Sequence, residues 1–232
     1  MAKKFKVKTR FNIKDKIIIG LCRFFKKRPE FVNLIEGDLP EICIMIGNHN
    51  GAGGPFHYRA FMDNRFMSWG AHQMCESFGS RWRYLYYIFY RQKLGYGKLR
   101  AFFMSLVLGF IAPLVYGVAG IIPVYYDMRI VNTYRYSIEC FENGVSVFVL
   151  PEASDEGYKE KIEGVFPGFL QLAKLYYKQY NADIPIYTLR YNKRPKKIVV
   201  GKPMYYQELA KEYTDEEILQ IFIDYMNSLK EY

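Results

Sequence analysis

The sequence predicts an α/β fold in which a mixed, largely parallel β-sheet is flanked by helices. Three observations lead to this prediction. Short apolar runs rich in β-branched residues alternate with helical patterns, as expected for a sheet covered on both faces. Hydrophobic residues make up 50% of the chain, which is enough to build a core. The length of 232 residues suits one large domain and is short for two.

The N-terminal segment, residues 1–36, is predicted to hold an amphipathic helix over residues 12–27, capped by Asn12. Its apolar positions recur at helical spacing, and lysines and arginines fill many of the others. This composition is typical of a helix lying on an anionic membrane surface, although an ordinary amphipathic core helix fits equally well. Residues 37–232 are predicted to form the α/β domain. No signal peptide is expected, because lysines interrupt residues 5–10.

The first half of the domain is predicted to contain three strands and two helical regions. Apolar runs at residues 41–47 and 66–70 predict strands. An aromatic helix interleaved with arginines is predicted over residues 80–92. Residues 101–126 contain no charged side chain, a length sufficient for a membrane span. Because Pro113 and glycines interrupt this stretch, we expect a buried or interfacial helix followed by a strand, with a transmembrane helix as the alternative.

The second half of the chain alternates regularly between helices and strands. Helices are predicted over 129–143, 166–180 and 213–232, and strands over 145–150, 184–191 and 198–201. Thr214, with Glu217 three residues on, is predicted to cap the last helix. This alternation predicts the parallel part of the sheet.

Charge and aromatic content narrow the classes of partner. The net charge of +10 attracts polyanions, which include anionic membranes, acyl carrier protein and nucleic acids. Basic residues beside a content of 18% aromatic residues are typical of a membrane interface. Single-stranded nucleic acid is the competing partner for such a surface, but the sequence contains no nucleic-acid-binding motif, so no such partner is predicted. The four cysteines lack paired spacing, so we expect free thiols and no metal site.

Two polar side chains that follow predicted strands are candidates for chemistry. His49, preceded by Asn48, lies between a strand and a glycine-rich turn that includes Gly53 and Gly54. Ligands of α/β sheets bind outside the carboxyl ends of strands, and imidazole is suited to proton transfer near neutral pH. Glu152 follows another strand and could accept hydrogen bonds from a polyol or an amine. The alternatives are a structural histidine and a solvated loop glutamate.

The order of these motifs resembles that of the PlsC-like glycerolipid acyltransferases. The matching elements are Asn48-His49, residues 120–124, 144–152, 166–173, 184–186 and 199–204. The resemblance covers about residues 40–232 and implies a glycerol-3-phosphate acyltransferase-like fold. It also implies acyl transfer from acyl-CoA or acyl carrier protein to a lysophospholipid or related lipid, with a histidine as general base and no further cofactor.

The resemblance carries roles onto individual residues. His49 is expected to be the catalytic base, and the expected substrate-binding residues are Glu152, Asn48, Arg129, Gly53, Gly54 and Ser154. The expected partners are the lysolipid acceptor, the acyl donor and an anionic membrane surface. The implied location is the cytoplasmic face of a membrane, as a peripheral or monotopic protein. A catalytically weak lipid-binding relative is the alternative function.

Three positions depart from the family's pattern. The aspartate that orients the family's histidine corresponds to Gly54, the arginine of the second motif to Tyr126, and an arginine that holds phosphate to Asp155. Losing an orienting carboxylate can cost several orders of magnitude in rate. His57 and Asp63 are the nearby candidates to replace it.

The change at Asp155 leaves two hypotheses for the acceptor. In the first, the acceptor lacks a phosphate at that place and carries, for instance, an amino or sugar headgroup. In the second, Arg129, Lys159 or Lys161 supplies the positive charge from a neighbouring position. The sequence does not decide between these hypotheses.

Overall fold

The computed structural model describes residues 5–50, 54–153 and 157–232, and it confirms the predicted α/β fold class. The strands are β1 (Glu30–Asn33), β2 (Ile44–Gly47), β3 (Phe66–Ala71), β4 (Ile121–Val124), β5 (Ser146–Val149), β6 (Ile186–Lys193) and β7 (Lys196–Met204). They form one seven-stranded sheet in the order β1-β7-β6-β2-β5-β3-β4. Neighbouring strands are parallel except β6 and β7, which are antiparallel. The carboxyl ends of β2 to β6 therefore meet at one edge of the sheet.

Helices flank the sheet in the predicted order. They are α1 (Ile13–Phe25), α2 (Gly54–Phe61), α3 (Phe78–Arg83), α4 (Lys98–Ala119), α5 (Ile130–Glu142), α6 (Gly168–Tyr180), α7 (Tyr206–Leu209) and α8 (Asp215–Ser228). The predicted aromatic helix is divided, because α3 continues directly into a π-helix over Tyr84–Lys93. Thr214 and Glu217 form the predicted capping box at the start of α8.

The predicted N-terminal helix is present as α1, and Asn12 caps it together with Asp15. Asp15 is the buried residue of this helix and pairs with Lys8 at 2.8 Å. Much of the apolar face of α1 is exposed. Strand β1, which the sequence did not predict, also falls within residues 1–36 and pairs with β7, so that part of the N-terminal segment belongs to the sheet.

The core occupies both faces of the sheet because side chains alternate along each strand. On β2, Ile44 and Ile46 join the cluster formed with α5, α6 and α8. Met45 points to the other face, where it packs with Tyr58 of α2. A smaller cluster lies between the π-helix and α4. This packing fixes β2 and β5 at the centre of the molecule.

Helix α4 and strand β4 account for the long uncharged stretch. The helix includes Pro113 and ends at Gly120, whose left-handed conformation (φ 64°) turns the chain into β4. Several apolar side chains of α4 are exposed, among them Phe103, Val107 and Phe110. Within the described ranges, no helix combines the length and the hydropathy needed to cross a membrane.

Candidate active site

Two neighbouring strands bring His49 and Glu152 together. Ile46 of β2 pairs with Val149 of β5 in parallel register. His49 and Glu152 each lie three residues beyond this pair, so they leave the sheet side by side at its carboxyl edge. The structure therefore joins two side chains that are 103 positions apart in the sequence.

The Glu152 carboxylate faces His49 through both of its oxygens. The backbone N–H of His49 donates to Oε1 at 2.5 Å, and Nδ1 of the imidazole lies 3.8 Å from Oε2. The second distance is longer than a hydrogen bond, and within the described chain Nδ1 has no hydrogen-bond partner. Glu152 is 7% exposed and forms a backbone bridge with Val165, so this carboxylate is held in the site and is not a solvated loop residue.

Burial shifts the pKa values of the two groups in opposite directions. Burial raises the pKa of Glu152 to about 7, against the lowering effects of the His49 N–H and of the charges on Arg190 and Lys93. Burial also lowers the pKa of His49 to about 3, and the charge of Lys93 adds to this effect. The imidazole is consequently neutral at pH 7, which is the protonation state required of a general base.

An aromatic ring and a lysine complete the surroundings of His49. The ring of Tyr158 stacks on the imidazole with a centroid distance of 4.2 Å and an interplanar angle of 25°. Lys93, the last residue of the π-helix, places Nζ 5.3 Å from the centroid of the Tyr158 ring. The stack holds the plane of the imidazole, and the lysine brings a positive charge close to it.

Asn48 and Gly54 shape the turn that carries His49. The Asn48 side chain accepts hydrogen bonds from the Tyr58 hydroxyl and the Tyr191 N–H, each at 2.7 Å, and donates to the Tyr191 carbonyl at 3.1 Å. A Cβ atom on Gly54 would lie 1.9 Å from the His49 carbonyl oxygen, so no side chain fits there. Asn48 thus positions the turn, and its predicted contact with substrate stays a prediction, as does that of Gly54.

Two cavities meet at His49. The first, here called the apolar cavity, has a volume of about 210 Å³ and lies between α1, α2, the π-helix and α4. The second, here called the aromatic cavity, has a volume of about 290 Å³ and includes Glu152 and Lys93 in its wall. Its aromatic lining consists of Trp69, Tyr84, Tyr125, Tyr126, Tyr158 and Phe166. His49, Tyr84 and Tyr158 line both cavities, so the imidazole stands where an apolar tail and a more polar group could meet.

The other predicted charges line neither of the two cavities, but the Arg129 guanidinium lies 4.5 Å from the centroid of the Tyr125 ring, which lines the aromatic cavity. Arg129 is exposed and pairs with Asp127 at 2.7 Å, and it lines neither cavity. Lys159 pairs with Glu163 at 2.7 Å. Lys161 lines neither of the two cavities. Gly53, Ser154 and Asp155 lie outside the described residues.

Neither candidate for the missing orienting carboxylate faces His49. Nε2 of His57 lies 3.1 Å from the Tyr191 hydroxyl, and Asp63 pairs with Arg23 while its side chain is 89% exposed. The carboxylate at the imidazole is that of Glu152. All four cysteines are free thiols, and no cluster suited to a metal occurs in the described part of the chain.

Sequence reasoning missed Lys93 and Tyr158. Lys93 directly follows the predicted aromatic helix, whose mixture of rings and basic residues was the available signal. Tyr158 lies six residues after Glu152 in a loop without regular structure, where no sequence pattern marks it.

The sequence matches no known protein family and no curated protein. Among solved structures, it is similar to the crystal structure of PlsC, the 1-acyl-sn-glycerophosphate (LPA) acyltransferase from Thermotoga maritima. The two share 13% sequence identity at a TM-score of 0.46, over 94% of this chain and 80% of that one. A likeness at this level does not transfer an activity, so the function has to be inferred from the site's own side chains.

Proposed function

We propose that this protein is an acyltransferase that moves a fatty acyl chain from acyl-CoA or acyl carrier protein to a lysophospholipid or related lipid acceptor. The observation that carries the proposal is the position of His49. Its neutral imidazole lies at the meeting point of the apolar and aromatic cavities, beside a buried carboxylate. The order of motifs in the sequence supports the same class of enzyme.

In the proposed reaction, the acyl tail occupies the apolar cavity and the acceptor headgroup the aromatic cavity. With Nδ1 directed at Glu152, Nε2 of His49 is the nitrogen that takes the proton from the acceptor hydroxyl. The oxygen attacks the thioester carbonyl, the new ester forms, and the carbon–sulfur bond breaks. The imidazolium then returns the proton to the leaving thiolate.

We assign to Glu152 the orienting role that Gly54 cannot fill. In its ionised form, the carboxylate accepts a hydrogen bond from Nδ1–H, which holds the imidazole in the tautomer whose Nε2 is free. The 3.8 Å separation has to shorten in the substrate complex, as often happens with catalytic hydrogen bonds. The role of Glu152 as a direct ligand of the acceptor stays a prediction from the sequence.

Lys93 is our candidate for binding an anionic group of the acceptor. Among the described residues it is the only lysine or arginine that lines the aromatic cavity. The sequence left open whether Arg129, Lys159 or Lys161 supplies the positive charge. We assign that role to Lys93 instead. The surrounding tyrosine and tryptophan rings offer flat apolar surface with polar tips, suited to a lipid headgroup.

The proposed place of action is the cytoplasmic face of a membrane, with α1 and α4 in contact with lipid. Both helices expose large apolar side chains, including Phe24 and Phe25 on α1 and Phe110 on α4. Lysines and arginines flank α1, so anionic lipid headgroups would complement it. Because the same two helices wall the apolar cavity, an acyl tail could pass from the bilayer into the site.

The test is thiol release from acyl-CoA or acyl carrier protein in the presence of a panel of lysolipids. We expect His49→Ala to lower the rate by about 10²–10⁴-fold, the range typical of a lost general base. His57→Ala is the matched control, because His57 is a histidine of the neighbouring helix α2 that lines neither cavity. Equal activity of wild type and His49→Ala with every acceptor would refute the proposal.

A catalytically weak lipid-binding protein is the second candidate. The observation in its favour is that Nδ1 of His49 makes no hydrogen bond to Glu152 in the described structure. This candidate predicts lysolipid binding that survives His49→Ala, without release of thiol from any donor.

A further inference from the structure

The loop between β5 and α6 carries two of the side chains that face His49. Glu152 is held at the start of this loop by its backbone bridge with Val165. Tyr158 lies in the segment 157–163, which has no helix or strand of its own. Contacts from other elements therefore have to fix the segment that stacks Tyr158 on the imidazole.

Arg190 of β6 and Asn227 of α8 bind the backbone of this segment. Nη2 of Arg190 donates to the Glu160 carbonyl at 2.7 Å. The Asn227 amide donates to the Ile162 carbonyl at 2.8 Å and accepts from the Ile162 N–H at 3.0 Å. The sheet and α8 thus hold the segment at two backbone positions, two and four residues beyond Tyr158.

Arg190 is a buried cation that binds only neutral oxygens. It is 1% exposed. Nε donates to the Asn192 side chain at 3.1 Å, and Nη1 donates to the Met226 carbonyl at 2.9 Å. Within the described part of the chain, no carboxylate forms an ion pair with it. A buried charge is unfavourable, and well-packed apolar side chains often replace buried charges without loss of stability. Packing alone therefore does not account for an arginine at this position.

The charge of Arg190 acts on Glu152. Burial raises the pKa of Glu152, the His49 N–H lowers it, and Arg190 lowers it more than Lys93 does. The other titratable groups around this carboxylate are Tyr58 and Tyr158, with Lys159, Lys161 and Glu163 at a small cavity beside it. Of the described charges, Arg190 therefore contributes most to the ionised form of Glu152.

We propose that Arg190 is a positioning residue of the candidate active site, which holds the Tyr158 loop against His49 and supplies a fixed positive charge to Glu152. The effect of Arg190 on catalysis rests on the proposed function, since only an enzyme needs an oriented imidazole beside an ionised carboxylate. Its effects on Tyr158 and Glu152 exist without turnover and can be measured in the purified full chain.

The first experiment measures the Tyr158 stack by NMR of the ring C–H groups of His49. The chain has three histidines, so His49→Ala assigns the signals. A stacked ring moves them upfield, and Tyr158→Leu gives their position without the stack. We expect Arg190→Met and Asn227→Ala to move the signals toward that position. Lys230→Met is the control and should leave them unchanged, because its ion pair with the loop is exposed. Wild-type signals in both Arg190→Met and Asn227→Ala would overturn the proposal.

The second experiment follows the titration of the Glu152 carboxyl carbon by ¹³C NMR, with Glu152→Gln to assign it. In Arg190→Met the carboxyl group should titrate about one pH unit higher than in wild type, because a nearby positive charge is lost. Arg190→Lys keeps the charge and should titrate close to wild type. An unchanged titration in Arg190→Met, or equal shifts in the two variants, would contradict the assigned charge effect. Should Arg190→Met not fold, Arg190→Gln takes its place, since glutamine also lacks the charge.

Kinetics then connect these effects to catalysis. In an active enzyme, the rise of kcat/KM with pH should occur about one pH unit higher in Arg190→Met than in wild type, and Arg190→Lys should restore it. A loss of activity without this displacement would show that Arg190 has a structural role only. If wild type releases no thiol from any donor, the proposed function fails, while both NMR experiments still decide whether Arg190 positions Tyr158 and acts on Glu152.

Discussion

Individual side chains determine the chemistry that this site could perform. Glu152 faces His49 with both of its carboxylate oxygens. One of its oxygens accepts the backbone N–H of His49, which fixes the turn after β2, and the other faces the imidazole. Strands β2 and β5 are adjacent and parallel, so the carboxylate that follows β5 reaches His49. The loop that carries His49 does not have to supply a carboxylate. The chain can therefore lack an aspartate at position 54 and still present a carboxylate to its candidate base.

The proposed role of Glu152 predicts the pH dependence of the reaction. Below its pKa of about 7, protonated Glu152 can donate to Nδ1, which leaves the proton on Nε2 and disables the base. Above this pKa, the carboxylate accepts from Nδ1–H and Nε2 is free. We expect kcat/KM to rise with pH through about 7 in wild type. Glu152→Gln should lower the rate and remove this rise; a profile with the same rise in the variant would contradict the role.

The same pKa shift predicts an effect on stability that does not depend on activity. The carboxyl group titrates at 4.5 ordinarily and at about 7 in the folded protein. Below pH 4.5 it is protonated in both states, and as pH rises to about 7 the unfolded chain ionises first. The free energy of unfolding of wild type should therefore fall, relative to that of Glu152→Gln, between about pH 4.5 and 7. Denaturant unfolding of both proteins across this range measures the difference, and parallel stability curves would refute the shift.

The turn at Gly54 predicts that alanine substitutions at Gly54 and at Gly79 have very different effects on stability. A Cβ on Gly54 would clash with the His49 carbonyl oxygen, whereas nothing lies within 4 Å of a Cβ on Gly79 in α3. We expect Gly54→Ala to destabilise the protein by about 1–3 kcal/mol or to displace His49. Gly79→Ala should be neutral or stabilising, because alanine favours helix. Thermal unfolding and transfer activity of both variants test this, and equal behaviour would mean that the turn is not constrained.

At the level of elements, α1 and α4 each have an inner face toward a cavity and an outer face toward solvent. Their inner faces wall the apolar cavity, and their outer faces expose large apolar side chains. Asp15 is the buried residue of α1, so this helix contributes little apolar surface to the protein core. Contact with lipid would cover the exposed side chains and account for their composition.

The outer face of α1 predicts the effect of paired substitutions on vesicle binding. Phe24 and Phe25 are 82% and 76% exposed. Changing both to glutamate should weaken partition into anionic vesicles by well over about tenfold, since burying each phenyl ring contributes about 1.5–3 kcal/mol. The control is Met128→Glu with Tyr232→Glu, which adds the same charge at exposed positions outside α1 and α4. Vesicle co-sedimentation that falls equally in both double variants would indicate a charge effect alone.

The π-helix ends at Lys93, which lines the aromatic cavity, and this position predicts how a substitution affects acceptor binding. Lys93→Met should raise KM for an acceptor with an anionic headgroup by about tenfold and change that for an uncharged acceptor little. Arg91→Met is the matched control, as Arg91 is an exposed residue of the same helix and lines neither cavity. Steady-state kinetics with both acceptors measure this. An equal increase in KM in the two variants would show that Lys93 does not bind the anionic headgroup.

For the whole molecule, the alternation of helices and strands could be predicted from the sequence because the sheet is buried on both faces. Apolar runs such as that of β2 and β5 follow directly from this burial. Strand β1 was missed because its four residues, Glu30–Asn33, are half polar and lie at a sheet edge. The antiparallel direction of β7 depends on the turn after β6, and apolar periodicity alone carries no information about strand direction.

The site was only partly predictable for a related reason. His49 and Glu152 follow buried strands, so the sheet itself predicts their neighbourhood. Lys93 and Tyr158 reach the cavities from a π-helix and a loop. Their places depend on how these elements pack, and spacing along the chain does not encode that packing.

We propose that an acyl tail and an acceptor headgroup meet at His49 from two cavities. The decisive measurement is a structure with a non-reactive thioether analogue of the acyl donor. We expect the tail between α1 and α4, with the sulfur-bearing end beside His49 and the aromatic cavity left open for the acceptor. A tail in the aromatic cavity, or a thioether bound away from the imidazole, would contradict it.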